Sequence, residues 1–301
     1  MGRTVITGGG GFLGQRLAAA IRGPVTLIDQ TFPSGSAHQA VRLEIGSDPV
    51  VLPDDTTIVY HLAAVVSAGA EADFDLGMRV NVDGLRCVLE ACRALGTRPK
   101  VVFASSVAAF GGALPEVLDD TTWPRPTSSY GTQKVIGEYL VNDYSRKGYI
   151  EGVTLRLPTV VVRPGRPNLA ASSFASGIIR EPLAGKLAIC PVAPTTELWV
   201  TSPDRVVESL IHAASIAEPD WPDGRVVNLP GLTVSVSGML ESLGRVAGTD
   251  AVGRVRFVAD ERIADIVGGW PARFVTGAAL RLGFGADTDF DSVVFQYSSQ
   301  S

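Results

Sequence analysis

The sequence predicts an α/β protein built on a Rossmann-type, doubly wound parallel sheet. Short apolar strand patterns alternate with helical patterns through the first half of the chain, and this alternation is typical of a parallel sheet with helices on both faces. A glycine-rich turn over residues 7–14 joins the first strand to the first helix. Beyond Pro164 the chain becomes rich in proline and glycine and its segments shorten, which predicts a smaller C-terminal substrate-binding lobe.

The elements follow from the spacing and type of the apolar residues. The predicted strands are 3–7, 25–28, 58–61, 100–104 and 152–162, with 226–229 returning to the main sheet. The predicted helices are 12–22, 72–95, 127–144 and 206–217. We therefore assign 1–165 to a Rossmann domain to which 197–230 returns, and 166–196 and 231–301 to the smaller lobe. Ligands of such folds bind at the carboxyl ends of the strands, so we expect the lobe to supply substrate contacts.

The glycine-rich turn has the composition of a diphosphate-binding loop. Glycine lets a diphosphate approach backbone N–H groups at a helix N-terminus, because no Cβ stands in the way. A tight strand-to-helix turn without a ligand is the alternative, and such turns are common. The strand and helix that flank the turn favour the dinucleotide. The residues expected at the diphosphate are Gly8, Gly11, Phe12, Leu13 and Gly14.

An acidic residue, Asp29, ends the second predicted strand. A carboxylate there can accept hydrogen bonds from the hydroxyls of the adenosine ribose, and it repels a 2′-phosphate. No basic residue follows directly, since Gln30 and Thr31 come next. The sequence therefore predicts NAD rather than NADP as the cofactor.

Composition and charge exclude several classes of function. The chain has 301 residues, of which 46% are hydrophobic and 19% charged, so it can bury one large or two modest cores. A net charge of −5 disfavours nucleic acid and anionic membranes as partners. The three cysteines and three histidines have no metal-ligand spacing, so no metal is expected. Without a signal-peptide pattern or a transmembrane run, we expect a cytoplasmic protein.

Tyr130 and Lys134 form the candidate catalytic pair. A hydride leaves a carbinol carbon only if the hydroxyl proton also leaves, and a free tyrosine, with a pKa of about 10, is too weak a base near neutral pH. A lysine at i+4 lies on the same helical face and stabilises the phenolate electrostatically. The same spacing is common on ordinary amphipathic helices, so the pair needs further support.

Two further polar elements support this pair. Ser105 and Ser106 follow the apolar strand 100–104, where a hydroxyl can bond the substrate oxygen. Asn81 lies inside a helical pattern in which asparagine is unfavourable. Its amide can hold a water that relays protons from Lys134; alternatively, it bonds a backbone carbonyl at a helix kink.

With these residues, the chain resembles the extended short-chain dehydrogenase/reductase family, in its sugar epimerase/dehydratase branch. The matching motifs are T-G-G-G-G-F-L-G at 7–14, H-L-A-A at 61–64, Asn81, F-A-S-S at 103–106, the Tyr130/Lys134 pair and R-L-P-T at 156–159. The resemblance implies that Ser106, rather than Ser105, carries the catalytic hydroxyl. It also implies cofactor contacts from Leu62, Ala63 and Ala64, adenine contacts from Glu44 and Ile45, and nicotinamide contacts from Pro158 and Thr159.

A closer similarity, to the D-erythronate dehydrogenase family, covers nearly the whole chain. It includes the segments 65–67, 71–75, 110–112, 142–146, 168–182, 198–203 and 270–274. This resemblance implies oxidation of a four-carbon sugar acid at C2 with NAD, giving 2-oxo-erythronate, and a homodimer formed through the helices 72–95 and 127–144. Glu197 stands where nucleotide-sugar members usually have an arginine, and Ala108 where many have Ser or Thr. Both departures favour a small acid over a sugar nucleotide.

A sugar acid needs hydroxyl and amide donors, and one cation can pair with its carboxylate. The candidate substrate residues are Ser67, Ser106, Tyr130, Thr132, Asn168, Ser172, Ser173 and Arg180. A guanidinium suits a carboxylate because it can donate two parallel hydrogen bonds. Each candidate also has a structural interpretation: the serine pair can cap a helix that begins near Phe174, and Arg180 can be a solvated surface charge.

Three functions fit these patterns. The favoured one is a hydroxy-acid dehydrogenase, and the second is an epimerase or dehydratase that keeps its NAD bound. The third is a catalytically silent protein that senses NAD. The complete set of Asn81, Ser106, Tyr130 and Lys134 argues against the third.

Overall fold

The computed structural model describes residues 2–34, 38–165 and 171–299. Its strands are β1 (Arg3–Thr7), β2 (Val25–Asp29), β3 (Gln39–Arg42), β4 (Thr56–His61), β5 (Lys100–Ser106), β6 (Glu151–Leu157), β7 (Thr159–Val160), β8 (Ala188–Cys190), β9 (Glu197–Thr201), β10 (Val226–Asn228), β11 (Leu232–Ser235) and β12 (Val255–Phe257). Seven of them form one sheet in the order β10-β6-β5-β4-β1-β2-β3. This order, with parallel neighbours, confirms the Rossmann-type prediction.

The helices complete the α/β arrangement. They are α1 (Phe12–Ala20), α2 (Ser67–Ala72), α3 (Phe74–Gly77), α4 (Gly84–Leu95), α5 (Ser129–Arg146), α6 (Ser173–Leu183), α7 (Pro203–Ser215), α8 (Val236–Ala247), α9 (Thr249–Val252), α10 (Glu261–Gly268), α11 (Gly277–Arg281) and α12 (Phe290–Ser298). A π-helical turn, Met78–Asp83, joins α3 to α4, and 3₁₀ turns lie at Val107–Ala109 and Glu218–Asp220. Within the part of the chain that the structure describes, none of the helices has the length and hydrophobicity of a membrane span.

The chain forms two compact units. The first contains Met1–Ala109, Pro126–Arg156 and Val207–Asn228, and the second contains Phe110–Arg125, Leu157–Val206 and Leu229–Ser301. Strand β10 joins the main sheet as predicted, whereas β9 lies between β7 and β11 in a three-stranded sheet. The functional division stays a prediction. It assigns NAD binding to 1–165 with 197–230, and substrate binding to 166–196 with 231–301.

The core of the first unit lies along the main sheet. Val5, Val59 and Val101, from three neighbouring strands, are fully buried. A parallel sheet is covered on both faces, so its central strands are apolar without alternation. Leu85 and Leu89 of α4 pack into the same cluster, so this helix packs against the sheet.

Two predicted elements differ from the structure. The helix predicted over 72–95 is interrupted, because Asp73 is extended, with φ −135°, and its side chain accepts a hydrogen bond from the N–H of Leu76 to cap α3. The strand predicted over 152–162 ends at Leu157, and β7 pairs with β9 in the other sheet. Pro158 separates the two strands; having no N–H, it cannot donate to a sheet ladder.

Candidate active site

The glycine-rich turn is packed too closely for side chains. Gly8 has φ +72°, and a Cβ built on it would lie 2.7 Å from the backbone nitrogen of Ala63. A Cβ on Gly14 would lie 2.3 Å from the carbonyl oxygen of Gly8. Such distances are shorter than van der Waals contact. Glycine at these positions is therefore required by the turn itself, and the turn presents bare backbone at the end of β1.

Helix α1 begins immediately after this turn at Phe12. Its N-cap residue, Gly11, provides no side-chain hydrogen bond, and its first turn contains no acidic residue. The first N–H groups of a helix have no intrahelical acceptor, and the helix dipole favours an anion beside them. The predicted diphosphate residues Gly11, Phe12, Leu13 and Gly14 therefore form a cradle that fits the diphosphate of a dinucleotide.

Asp29 lies at the end of β2, beside the same turn. Its carboxylate accepts hydrogen bonds from the backbone N–H of Gly10 at 3.0 Å and of Thr31 at 3.3 Å. The structure thus brings the predicted ribose ligand next to the predicted diphosphate cradle. Both contacts come from backbone amides, and no basic side chain is bonded to this carboxylate among the described residues.

Of the two residues predicted to contact adenine, Glu44 lies on the surface and Ile45 lies in the core. Glu44 is exposed, and its carboxylate lies 3.8 Å from the guanidinium of Arg79. Ile45 is buried and packs on Gly84, where a Cβ would lie 2.4 Å from its Cγ2 atom. Glu44 is therefore the more accessible of the two residues.

The segment after β4 runs along the glycine-rich turn. Leu62 donates a backbone hydrogen bond to Thr7, and the backbone of residues 62 and 63 approaches Gly8 closely. Beneath it, Nδ1 of the fully buried His61 lies 2.8 Å from the hydroxyl of Thr7. Burial, with the nearby Lys134 charge, lowers the pKa of His61 to about 3, so this side chain is neutral. Leu62 and Ala63 thus lie beside the glycine-rich turn, and the cofactor contacts of Leu62, Ala63 and Ala64 stay predictions.

Lys134 is a buried cation at the end of β5. Its Nζ atom donates a hydrogen bond to the carbonyl oxygen of Ala104 at 2.8 Å, and it lies 5.6 Å from the ring centre of Tyr130. Burial lowers the pKa of Lys134 to about 8, and the Glu138 carboxylate opposes part of this shift. The ammonium also lies 4.8 Å from the Phe103 ring centre, a favourable cation–π distance.

Tyr130 lies in the first turn of α5, which is held by two acceptors. The hydroxyl of Ser128 accepts a hydrogen bond from the N–H of Gly131 at 3.1 Å, and the carboxylate of Glu71 accepts one from the N–H of Ser129 at 2.9 Å. These contacts fix the position of the tyrosine backbone. Tyr130 itself is half-buried.

Ser106 lies beside the same end of α5. Its hydroxyl accepts a hydrogen bond from the N–H of Ala108 at 3.1 Å. A Cβ on Gly131 would lie 2.1 Å from the carbonyl oxygen of Ala108, so the turn after β5 packs directly on the start of α5. The structure therefore brings Ser106, Tyr130 and Lys134 to one end of the sheet.

Asn81 is buried in the π-helical turn, a kind of distortion that is frequent at functional sites. Its Oδ1 atom accepts a hydrogen bond from the N–H of Val65 at 2.8 Å, and its Nδ2 atom donates to the carbonyl oxygen of Val65 at 3.0 Å. One of these contacts, from Nδ2 to the carbonyl oxygen of Val65, is the bond to a backbone carbonyl that the sequence predicted as the alternative to a proton relay. Its role in a proton relay stays a prediction.

The sequence interpretation missed two residues of α5 near the site. Gln133 is buried and bonds Asn81. Glu138 accepts hydrogen bonds from the hydroxyl of Ser105 at 2.5 Å and from the guanidinium of Arg156 at 2.7 Å. The i, i+4 relation of Glu138 to Lys134 was an available signal, because it places both side chains on one helical face.

The substrate candidates are spread over both units. In the first unit, Ser67 begins α2 and is half-buried, whereas Thr132 is exposed and donates its hydroxyl proton to the carbonyl oxygen of Ser128. In the second unit, Ser172 precedes α6 without capping it through its side chain, and Ser173 begins the helix. Asn168 lies outside the described residues.

Three further predicted site residues lie in the second unit. Arg180 is buried rather than solvated; it donates to the carbonyl oxygen of Arg163 at 2.7 Å and to the carboxylate of Glu181 at 2.5 Å. Pro158 and Thr159 lie between β6 and β9 in the sequence, with Thr159 opposite Val200 in the three-stranded sheet. Their contacts with cofactor or substrate stay predictions.

The family model described as "NAD dependent epimerase/dehydratase family" matches residues 4–201. The chain belongs to this family. Its glycine-rich turn and Tyr130/Lys134 pair both lie within the matched range, and the prediction of an extended short-chain dehydrogenase/reductase is confirmed. The NAD dependence of the family agrees with the diphosphate cradle beside Asp29, so the dinucleotide that the chain binds is NAD(H).

Curated family members and a solved structure match almost the full chain. D-erythronate dehydrogenase of Cupriavidus necator is 52% identical, covering 97% of this chain and 97% of that protein. D-erythronate dehydrogenase of Haemophilus influenzae is 42% identical, covering 98% of each. The crystal structure of a nucleoside-diphosphate-sugar epimerase from Agrobacterium tumefaciens has 36% identity and a TM-score of 0.88, covering 97% of this chain and 92% of that one.

Proposed function

We propose that this chain is an NAD-dependent dehydrogenase that oxidises a small sugar acid, D-erythronate, at C2 to 2-oxo-erythronate, with Tyr130 as the base. The two curated relatives named D-erythronate dehydrogenase support both the oxidoreductase class, acting on a CH–OH group, and a sugar acid as substrate. The position of the oxidised carbon and the identity of the base rest on the resemblance and on the chemistry of the site.

One observation carries the proposal: the buried ammonium of Lys134 lies 5.6 Å from the Tyr130 ring centre, at the carboxyl end of β5. A positive charge stabilises a nearby phenolate, and its effect is larger where little water screens it. Tyr130 can then accept the proton of the substrate hydroxyl near neutral pH. An exposed lysine at the same sequence spacing would stabilise the phenolate much less, because water would screen its charge.

Each site residue then has a defined part in the oxidation. Bound NAD supplies the acceptor for the hydride that leaves C2. The Tyr130 phenolate takes the hydroxyl proton as the carbon–oxygen double bond forms, and Lys134 holds the positive charge beside it. The hydroxyl of Ser106 donates a hydrogen bond to the substrate oxygen. Asn81, in the π-helical turn, bonds Gln133, the residue that precedes Lys134.

The cofactor is expected to lie along the first unit's strand ends. The backbone amides at residues 11–14 hold the diphosphate, and Asp29 accepts hydrogen bonds from the adenosine ribose. Glu44 and Ile45 border the adenine, and Leu62, Ala63 and Ala64 line the path between the ribose and the catalytic pair. Pro158 and Thr159 are assigned to the nicotinamide by resemblance.

The alternative is an epimerase or dehydratase that keeps its NAD bound, a possibility raised by the name of the Agrobacterium relative. The negative charge of Glu197 argues against a nucleotide-sugar substrate. Its carboxylate is held by Arg273 at 3.0 Å, and Arg273 also contacts Glu116 at 2.9 Å. Two carboxylates on one guanidinium leave this cluster with net negative charge, which disfavours a diphosphate there.

Turnover assays with purified protein separate the two functions. With excess NAD, a dehydrogenase accumulates NADH in proportion to the sugar acid consumed, whereas an enzyme that regenerates its NAD accumulates none. We expect NADH formation to be fastest with D-erythronate among four- and five-carbon aldonates. The proposal is wrong if no aldonate yields NADH while a nucleotide sugar is converted without net NADH.

A further inference from the structure

Two buried amides connect three segments of the first unit. The Nδ2 atom of Asn81 donates a hydrogen bond to Oε1 of Gln133 at 2.7 Å, in addition to its two hydrogen bonds with the backbone of Val65. We call the three residues Val65, Asn81 and Gln133 the amide clip. Asn81 and Gln133 are only 2% and 1% exposed, so water competes little with these contacts.

The hydrogen bonds leave Asn81 no further donor. An asparagine amide has two N–H groups, and here the carbonyl oxygen of Val65 takes one and Gln133 takes the other. The N–H of Val65 bonds Oδ1, which sets the orientation of the amide. The side chain of Asn81 is therefore suited to hold protein segments together. A water molecule bound to Lys134 could form a hydrogen bond with this side chain only by donating to the second lone pair of Oδ1.

Gly77 makes room for Gln133. A Cβ on Gly77 would lie 2.6 Å from Nε2 and 3.0 Å from Oε1 of the glutamine. The Nε2 atom is buried and has no hydrogen-bond partner among the described residues. Leaving a buried donor unpaired costs about 1–3 kcal/mol. The position of Gln133 is thus maintained at a cost, which its hydrogen bond to Asn81 offsets in part.

The clip connects the two halves of the candidate site. On one side, Val65 directly follows the segment 62–64, whose backbone packs against Gly8 of the glycine-rich turn. On the other side, Gln133 directly precedes Lys134, whose ammonium bonds Ala104. Through Asn81, the segment beside the diphosphate cradle is tied to the helix that carries the proton-transfer pair.

We infer that Gln133 and Asn81 are positioning residues that hold segment 62–65 against α5, so that bound NAD(H) and the Tyr130 phenol keep a fixed relative position. The expected effect on catalysis rests on the proposed function. The expected effect on NAD(H) affinity does not, because it needs only the bound cofactor. In this positioning role Asn81 acts through its amide contacts.

The test is a double-mutant cycle on NADH binding, measured by fluorescence titration of the full chain without substrate. Gln133→Ala removes one buried hydrogen bond of the clip and should raise the Kd for NADH roughly 10-fold, and Asn81→Ala, which removes all three, should raise it at least as much. Because both break the same clip, the double variant should bind little worse than the weaker-binding single variant. An unchanged Kd in Gln133→Ala, or two effects that multiply fully, would overturn the inference.

Two glycine variants separate positioning from loss of stability. Gly77→Ala keeps both amides but pushes on Gln133, and it should raise the Kd as Gln133→Ala does. Gly268→Ala is the matched control and should leave the Kd for NADH unchanged, because a Cβ on this helical glycine meets nothing within 4 Å. Gln133→Met keeps the length of the side chain but offers Asn81 no acceptor, so it should raise the Kd for NADH as Gln133→Ala does. A Gln133→Met variant that binds NADH as tightly as the unmodified chain would count against the clip.

Two further measurements keep the inference separate from the proposed function. Hydrogen exchange of the peptide containing residues 62–65 should be faster in Gln133→Ala than in the unmodified chain, with no cofactor present; unchanged exchange contradicts the clip. For an active enzyme, Asn81→Ala should lower kcat without moving the pH profile. A shifted profile would favour a proton relay through Asn81 instead. Absence of aldonate oxidation would refute the proposed function and leave the binding and exchange results valid.

Discussion

The Nζ atom of Lys134 and the carbonyl oxygen of Ala104 form a hydrogen bond of 2.8 Å in the interior of the first unit. A lone backbone carbonyl replaces only part of the hydration that an ammonium loses on burial, so the charged form remains costly. Glu138, one helical turn further along α5, is the compensating carboxylate, but it is itself held by Arg156 and Ser105. The cation next to Tyr130 is therefore kept at the expense of stability.

The role of Tyr130 as base is tested by Tyr130→Phe. This change removes the phenolic oxygen and leaves the ring, so we expect kcat to fall by roughly 10²–10⁴ while the Kd for NADH and the melting temperature stay near their unmodified values. Tyr139→Phe, on an exposed tyrosine of the same helix, is the matched control and should retain full activity. Substantial turnover by Tyr130→Phe would show that another group accepts the proton.

The buried lysine gives stability a defined pH dependence. The pKa of Lys134 is about 8 in the folded chain, against an ordinary value of 10.5. Between these values the unfolded chain binds more protons, so stability rises with pH across this window, by about 3 kcal/mol at most. Below pH 8 both states are protonated and the full penalty remains.

Lys134→Met removes this titrating group. We expect the variant to be as stable as or more stable than the unmodified chain at pH 7, with a smaller gain in melting temperature between pH 8 and 10, and to have little activity. Lys147→Met, an exposed lysine after the same helix, controls for general charge effects. A melting temperature at pH 7 that falls by many degrees in Lys134→Met alone would contradict a net cost of the buried charge.

Cofactor choice depends on the charge of Asp29. Asp29→Asn keeps an acceptor for the N–H of Gly10 but removes the repulsion of a 2′-phosphate, and Asp29→Ala removes both. We expect the unmodified chain to favour NAD, and the ratio of kcat/KM for NAD over NADP to fall roughly 10-fold or more in both variants. Equal kcat/KM for the two cofactors in the unmodified chain would refute the assignment of Asp29.

Arg180 is the candidate partner of the substrate carboxylate, and its neighbour Glu181 provides a matched pair of variants. The guanidinium is buried and already bonds Glu181 at 2.5 Å. We expect Arg180→Met to raise the KM for D-erythronate at least about 10-fold with NADH affinity unchanged, and Glu181→Gln to lower that KM by freeing the guanidinium. If neither variant changes the KM, neutral donors such as Ser67 and the Ser172–Ser173 pair bind the carboxylate.

Local spacing accounts for what the sequence determined by itself. Tyr130 and Lys134 are predictable because i and i+4 share a helical face in any helix, and the turn at Gly8 is predictable because its backbone conformation needs glycine. Alternating strand and helix patterns were likewise sufficient for the doubly wound sheet, because buried parallel strands appear as short continuous apolar runs and the helices between them show apolar residues three and four apart.

Only the tertiary structure decided which distant residues meet. Asn81 and Gln133 are separated by α4, β5 and the start of α5, and no periodicity relates them. The interruption at Asp73 and the π-helical turn that aims Asn81 at Val65 also escaped the helical pattern, because apolar spacing reports a buried face but not where the backbone departs from regular geometry. Contacts between segments depend on how the elements pack, and packing is a property of the whole chain.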